Sequence, residues 1–282
     1  QNHRLRQPIT RCHDELLTRK GAASVAEELL YEKRGHVVIL TLNRPERRNA
    51  MNRKLMHDLQ KAWLRFKHDD DAWVAILWGG EGPTFCAGMD LKEFAETHHQ
   101  QDDTEGPWWP DRWSPGDLEI FKPTIAAVNG QAAAGGCWLT TMCHLCVAAD
   151  TAEFGITEPR WNIGGGDQID IIRHVSLRHA IELTIYPRLV PAQRAYEMGL
   201  VNWVVPKGQE LQKALEVADA ILECGPAAVR AFIESYYRCY GMEHSNAVKL
   251  AGHIQKGLGA MEDAKEGPRA FAEKRRPNFK NR

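Results

Sequence analysis

The chain of 282 residues reads as an α/β protein with a mostly helical C-terminal region. Three observations carry that class. Trp73–Trp78, WVAILW, is an almost unbroken apolar run closed by GGEG, the pattern of a strand covered on both faces. Arg53–His68 carries Leu55, Met56, Leu59, Ala62, Trp63 and Phe66 at helical spacing. Beyond Glu158 the periodicity is helical almost to the end. Strands alternating with helices give an α/β core.

The elements follow in order. His36–Asn43, HVVILTLN, is short and β-branched, and RPERRN ends it as a turn, so it is a strand. Lys122–Gly130, KPTIAAVNG, is a further strand-and-turn unit. Gly135–Cys146 reads as a helix and Cys146–Ala149 as a short strand. Helices are expected over Ile169–Val175, Arg178–Ile185, Pro191–Met198, Gln209–Cys224, Ala227–Tyr240, Glu243–Leu258 and Asp263–Arg275. Only Leu200–Val205, LVNWVV, interrupts them as a strand. Residues 1–25 read as an N-terminal extension, because Asp14 and Glu15 among its basic residues are unlike a targeting peptide.

Composition excludes some functions. Apolar residues make up 43% and charged residues 26%, with a formal net charge of -1. No global field would recruit nucleic acid or an anionic membrane. No apolar run reaches the ~20 residues needed to cross a bilayer. Seven cysteines, an odd number, argue against a disulfide framework and for a reducing, cytoplasmic setting. Cys143–Cys146, CHLC, has no second pair to complete a zinc site, and reads as small buried hydrophobes. His98–Asp117 combines polar residues, three prolines and three tryptophans. It suits a loop over a ligand pocket, with a subunit contact as the competing reading.

Three segments place glycine or alanine where the backbone must approach something closely: Asn43–Asn52, Phe85–Leu91 and Asn129–Cys137. Neither G-x-x-x-x-G-K-[ST] nor G-x-G-x-x-G is present, which disfavours the nucleotide cradles built on those patterns. Two backbone N–H groups, one at a helix start, could instead hold a developing oxyanion. Tight helix packing by glycine is the plainer alternative.

VVILTLNRPERRNAMN, FCAGMDL, KPTIAAVNGQAAAGGC, FGITEP, YEMGLVNWVVP and FAEKRRPNF, in this order and spacing, resemble the enoyl-CoA hydratase/isomerase, or crotonase, family. The resemblance runs from about Tyr31 to Lys280. It implies a crotonase-like spiral of ββα units over residues 26–200, and a helical trimerisation region over 201–282. It also implies a homotrimer or a dimer of trimers acting on acyl-CoA thioesters, as in fatty acid metabolism, with coenzyme A as part of the substrate and no separate cofactor or metal.

Position by position, the resemblance implies oxyanion donors at the N–H groups of Met89 and Gly135. Ala50, Ala87, Met89, Asp90 and Leu91 match positions along the CoA path. Phe271 and Lys274 match a C-terminal helix that reaches the CoA of a neighbouring subunit, where a cation suits the phosphates. The family's hydratases use two glutamates. Glu158, in FGITE, matches one of them, and Trp138 stands where the other belongs. The loop PRWNIGGGDQ is shorter than the family's usual form. Asp167 and Asp170 lie just beyond it, near where some relatives place a further aspartate, and helix capping is the plainer role for Asp167.

A single carboxylate fits a double-bond shift, in which one base removes and returns a proton, better than two-carboxylate hydration. Burial beside apolar groups would raise the pKa of Glu158 and suit it to that work. Decarboxylation or C–C cleavage of an acyl-CoA would need little beyond the oxyanion site. A member that binds acyl-CoA without catalysis, and a structural trimer subunit, are the non-enzymatic readings. In the double-bond-shift and cleavage readings, Trp138 would shape the acyl pocket and exclude water.

Overall fold

The computed structural model describes residues 27–97, 109–164 and 167–282, with only the backbone of Thr97, Asp167 and Gln168. The N-terminal extension and residues 98–108 of the tryptophan-rich segment lie outside the described residues.

The chain opens with β1 (Leu29–Arg34) and β2 (Val37–Leu42), an antiparallel pair turned at Gly35, which has a φ of +57°. Then come α1 (Arg53–His68), β3 (Val74–Trp78), β4 (Thr84–Cys86), α2 (Leu91–Thr97), β5 (Thr124–Val128), β6 (Gln131–Ala133), α3 (Gly135–Thr141), β7 (Leu145–Ala149) and β8 (Glu153–Gly155). The remainder is α4 (Leu177–Ile185), β9 (Val190–Pro191), α5 (Ala192–Met198), β10 (Trp203–Val205), α6 (Glu210–Ile221), α7 (Pro226–Cys239), α8 (His244–Gln255) and α9 (Asp263–Ala272).

Two sheets result. One has the order β1-β2-β3-β5-β7-β10, parallel except at β1, and the other the order β4-β6-β8-β9. Each of β3, β5 and β7 is followed by a short strand of the second sheet, so the chain winds as a spiral of ββα turns. Side-chain alternation explains the apolar runs of the first sheet. Val38, Leu40, Ala75, Leu77, Ala126, Val128 and Ala148 face the main core with Leu55, Leu59 and Phe66 of α1. Val37, Ile39, Val74, Ile76, Ile125, Ala127 and Val147 face the other way, against Ala214 and Ala218 of α6. Both faces are buried, so no polar alternation is left to see. The first sheet continues past residue 200, since β10 pairs in parallel with β7.

α1 coincides with its predicted span and buries the predicted residues. The Asn52 side chain accepts from the Leu55 N–H at 2.8 Å, and Arg65, Lys67 and His68 stand in the last turn, against the negative end of the helix dipole. The helix expected over Gly135–Cys146 stops at Thr141 instead, because Leu145 is drawn into register beside Ile125. Ile169–Val175 is replaced by a 3-10 turn over Asp167–Arg173. The helix expected to Leu258 ends at Gln255 and gives way to a 3-10 turn containing Gly257 and Gly259.

Buried polar side chains fasten the loops that lead to the site. Asn49, only 1% exposed, accepts from the Arg44 N–H at 2.9 Å. Its amide donates to the carbonyls of Gly79 (2.8 Å), Thr84 (3.1 Å) and Phe85 (3.0 Å). Its φ of +52° is one that asparagine tolerates better than most residues. Asn49→Ala leaves those buried groups unpaired, and an expected loss of roughly 3 kcal/mol or more follows from ~1–3 kcal/mol per stranded group. Urea unfolding measures it.

Candidate active site

Two loops meet at backbone distance. The first, Ala87–Gly88–Met89, follows β4. Gly88 has a φ of +94°, and a β-carbon there would stand 2.6 Å from the Ala134 β-carbon and 3.2 Å from the Gly135 nitrogen. The second loop is the start of α3. A β-carbon on Gly136 would fall 2.0 Å from the Cys86 carbonyl oxygen. Ala134, between β6 and α3, holds φ +55° and ψ −130°, a conformation that costs a non-glycine residue on the order of 1–3 kcal/mol. The small residues of the two segments are therefore required by the approach of one loop to the other.

Met51 clamps the first loop. Its N–H donates to the Gly88 carbonyl at 2.7 Å, and its carbonyl accepts from the Asp90 N–H at 2.9 Å. In extended chain, successive N–H groups point opposite ways, so the Met89 N–H is turned from this clamp. The Gly135 N–H is one of the unpaired donors of a helix start. Neither donates to an acceptor among the described residues. A β-carbon on Gly135 would lie 4.0 Å from the Met89 nitrogen, so the two donors are neighbours. Such a pair can bind one carbonyl oxygen, and binds it more strongly as charge develops.

A cavity of about 490 Å³ opens on these donors. Met51, Ala87, Met89, Leu91, Gly135, Trp138 and Glu158 line it together. Trp109 and Trp113 of the tryptophan-rich segment also line it, their ring centroids 5.9 Å apart, as does Trp161. The described part of that segment is thus a pocket wall.

Glu158 opens a 3-10 turn, Glu158–Trp161, directly beyond β8. It is half-buried, and burial pushes its carboxyl above the ordinary glutamate value, while backbone N–H groups of Glu158 and Thr157 partly oppose the shift. Its Oε2 is buried with no hydrogen-bond partner among the described residues, and so is the Trp138 Nε1. Cys137, beside Gly136, is fully buried with its thiol pushed up to about 12, which rules out a thiolate nucleophile there at neutral pH.

A raised carboxyl pKa has a stability consequence. The folded state then favours the neutral acid, so the stabilising effect of burying it is complete below the ordinary value of 4.5 and is lost as pH rises through the raised value. Glu158→Gln is therefore expected to raise the melting temperature at pH 8 and to leave it nearly unchanged at pH 4, as read by thermal unfolding at both pH values.

Other predicted residues are placed elsewhere. The Asp90 carboxylate does not line the cavity: it pairs with the Arg44 guanidinium at 3.3 Å and accepts from the Glu93 N–H. Arg44 is itself buried, also meets Glu28 at 3.2 Å, and donates to the Ala50 carbonyl. Ala50 is off the cavity wall. Phe271, 87% exposed, and Lys274 stand at the end of α9 and do not line it either. Asp170 pairs with Arg173 at 3.3 Å outside the cavity, and the Asp167 side chain lies outside the described residues. Among the described residues no group of three or more His, Cys, Asp or Glu side chains could hold a metal ion. No helix among them is long and apolar enough to cross a membrane.

Residues 32–282 match the family model described as Enoyl-CoA hydratase/isomerase. The enoyl-CoA hydratase EchA19 of Mycobacterium tuberculosis is 41% identical over 259 residues, covering 90% of this chain and 97% of that protein. The 2,3-dehydroadipyl-CoA hydratase of Escherichia coli is 34% identical over 258 residues, covering 90% and 99%. A crystal structure of enoyl-CoA hydratase from M. tuberculosis H37Rv superposes with a TM-score of 0.81 at 36% identity, covering 90% of this chain and 99% of that one. The chain belongs to the enoyl-CoA hydratase/isomerase family, and it is an enzyme of that family with the crotonase fold.

Proposed function

We propose that this enzyme acts on an α,β- or β,γ-unsaturated acyl-CoA, binding the thioester oxygen with the Met89 and Gly135 N–H groups and moving one proton with Glu158. The observation that carries this reading is that one cavity is lined by two unpaired backbone donors and by the half-buried Glu158. An enolate forms when a proton leaves, or a nucleophile adds beside, a thioester carbonyl. The two N–H groups lower the cost of that charge, and Glu158, shifted toward neutral pH, is matched to take up and return the proton. Coenzyme A enters as part of the substrate, with no separate cofactor. Ala87 and Leu91 lie on the cavity wall where the pantetheine chain would pass.

We also propose a homotrimer or a dimer of trimers, in which Phe271 and Lys274 serve a neighbour's CoA. What supports it is an exposed apolar stripe on α4, Leu177, Ile181 and Ile185, spaced four residues apart. Light scattering on the purified protein tests the assembly.

The functional test is incubation with trans-2-enoyl-, 3-enoyl- and malonyl-type CoA esters, with products identified by mass spectrometry. Conversion within the enoyl series is the expected result. Turnover confined to the malonyl type would replace the reading with decarboxylation, and no turnover of any ester would remove it.

A further inference from the structure

Four tryptophans share the wall of the catalytic cavity. Trp109 and Trp113 stand with ring centroids 5.9 Å apart, and Trp138 and Trp161 line the same space. Trp161 is 65% exposed, so its indole surface is open to a bound group. Broad faces of this kind favour a flat ring over a flexible chain, because aromatic pairs gain from stacking or edge contact beyond the area they bury. Trp138 lies three residues after Gly135 on α3, about 4.5 Å further along the helix at ~1.5 Å per residue. In a 2-enoyl thioester, a group on Cβ begins three carbon–carbon bonds from the carbonyl carbon, roughly 4 Å at ~1.5 Å per bond. The two lengths match, so a ring on Cβ comes level with Trp138.

The same wall is one-sided in charge. Asp111, Asp117 and Glu158 line it, and no Lys, Arg or His does so among the described residues. Residues 98–108, HHQQDDTEGPW, hold Asp102, Asp103 and Glu105 but no Lys or Arg. Asp117 also borders a small cavity with Thr141 and Met142, so it stands toward the end of α3 that is remote from Gly135. Its Oδ2 accepts from the Ser114 hydroxyl at 2.7 Å, which fixes the carboxylate. Arg112 is turned to the Asp117 main-chain carbonyl at 2.6 Å, and Arg173, on the small cavity, pairs with Asp170 at 3.3 Å. An acyl group ending in a carboxylate would meet like charge here, with no cation on the described wall to pair with it.

We propose that the acyl subsite selects an uncharged aromatic ring attached to Cβ, the tryptophans packing against the ring while Asp111 and Asp117 exclude acyl groups that end in a carboxylate. The proposal rests on the reading of Met89, Gly135 and Glu158 given above and adds to it the class of acyl group. Asp111 and Asp117 are specificity residues and take no part in the proton transfer. Both are exposed, so their repulsion acts partly through water and weakens with salt. The tryptophan contribution is a packing effect and is not screened.

Calorimetric binding of four saturated CoA esters tests it: 3-phenylpropanoyl, 3-cyclohexylpropanoyl, 3-(4-carboxyphenyl)propanoyl and 3-(4-carbamoylphenyl)propanoyl. The phenyl ester is expected to bind about threefold or more tighter than the cyclohexyl ester, the scale of one aromatic pair. The carboxyphenyl ester is expected to bind about tenfold or more weaker than its neutral carbamoyl counterpart in dilute buffer. That ratio is expected to shrink toward one in ~1 M salt, where the screening length is about 3 Å. It is also expected to shrink in the double variant Asp111→Asn/Asp117→Asn, whose melting temperature checks the fold. The salt series on the wild type decides the charge claim if that variant does not fold. Equal binding of the phenyl and cyclohexyl esters overturns the proposal, as does equal binding of the carboxyl and carbamoyl esters. A carboxylate penalty that persists in salt, or in the folded double variant, overturns the assignment to Asp111 and Asp117. Failure of all four esters to bind removes the proposal and the underlying reading together. Selective binding without exchange of the α-hydrogen in D2O upholds the selectivity and removes the role of Glu158.

Discussion

Glu158→Gln is expected to cut turnover of an enoyl-CoA at least ~100-fold while leaving binding of the CoA thioester nearly intact, the lower range for loss of a general acid/base. The substitution keeps the side-chain shape and removes only the ability to take a proton. Steady-state rates combined with calorimetric binding of a non-reactive acyl-CoA separate the two effects. The pH profile is diagnostic as well. The base form of Glu158 is required, and burial raises its pKa, so kcat/KM of the wild type is expected to fall on an acid limb centred above 4.5. That limb is expected to be missing from the residual activity of the variant. Turnover that survives Glu158→Gln would remove the carboxylate from the chemistry.

Gly88→Ala is expected to cost a further class of activity, roughly 10²–10³-fold in kcat, the range seen when one donor of an oxyanion site is lost. Two independent obstacles meet at this position. The φ of +94° is strained for any residue with a β-carbon. The added methyl would also lie 2.6 Å from the Ala134 β-carbon and 3.2 Å from the Gly135 nitrogen, so it must push one donor away from the other. Far-UV circular dichroism and the melting temperature report whether the fold survives. A folded variant with undiminished kcat would show that the spacing of Met89 and Gly135 is unimportant.

The sequence exposed the parts of this fold whose periodicity is long. The α1 stripe and the apolar runs around β3 and β5 each persist over enough residues for a face to be assigned. β4, β6 and β8 are three residues each, too short for any period, and were not expected. Local pattern misled at Met142–His144, where pairing with β5 overrides an apolar stretch that reads as helix. In the site, composition showed only the glycine-rich loops; it was the family resemblance that picked out Met89, Gly135, Trp138 and Glu158, and all four line one cavity. Neither had any means of anticipating how buried polar groups pair. Arg44 takes the Asp90 carboxylate, and Asn49 spends its amide on three carbonyls of later segments. Those bonds join residues 30 or more positions apart and leave no local trace. Trp109, Trp113 and Trp161 reach the cavity for a similar reason: tryptophan content suggests a wall, and only the fold says which wall.

The most direct test of enolate chemistry is the mass of a saturated acyl-CoA, of the chain length that binds best, recovered from D2O after incubation with the enzyme. Deuterium at Cα with the wild type, and its absence with Glu158→Gln, is the expected result. A thioester that binds the wild type and returns without deuterium, or one that is labelled equally by both proteins, would contradict the assignment of Met89, Gly135 and Glu158 to one catalytic centre.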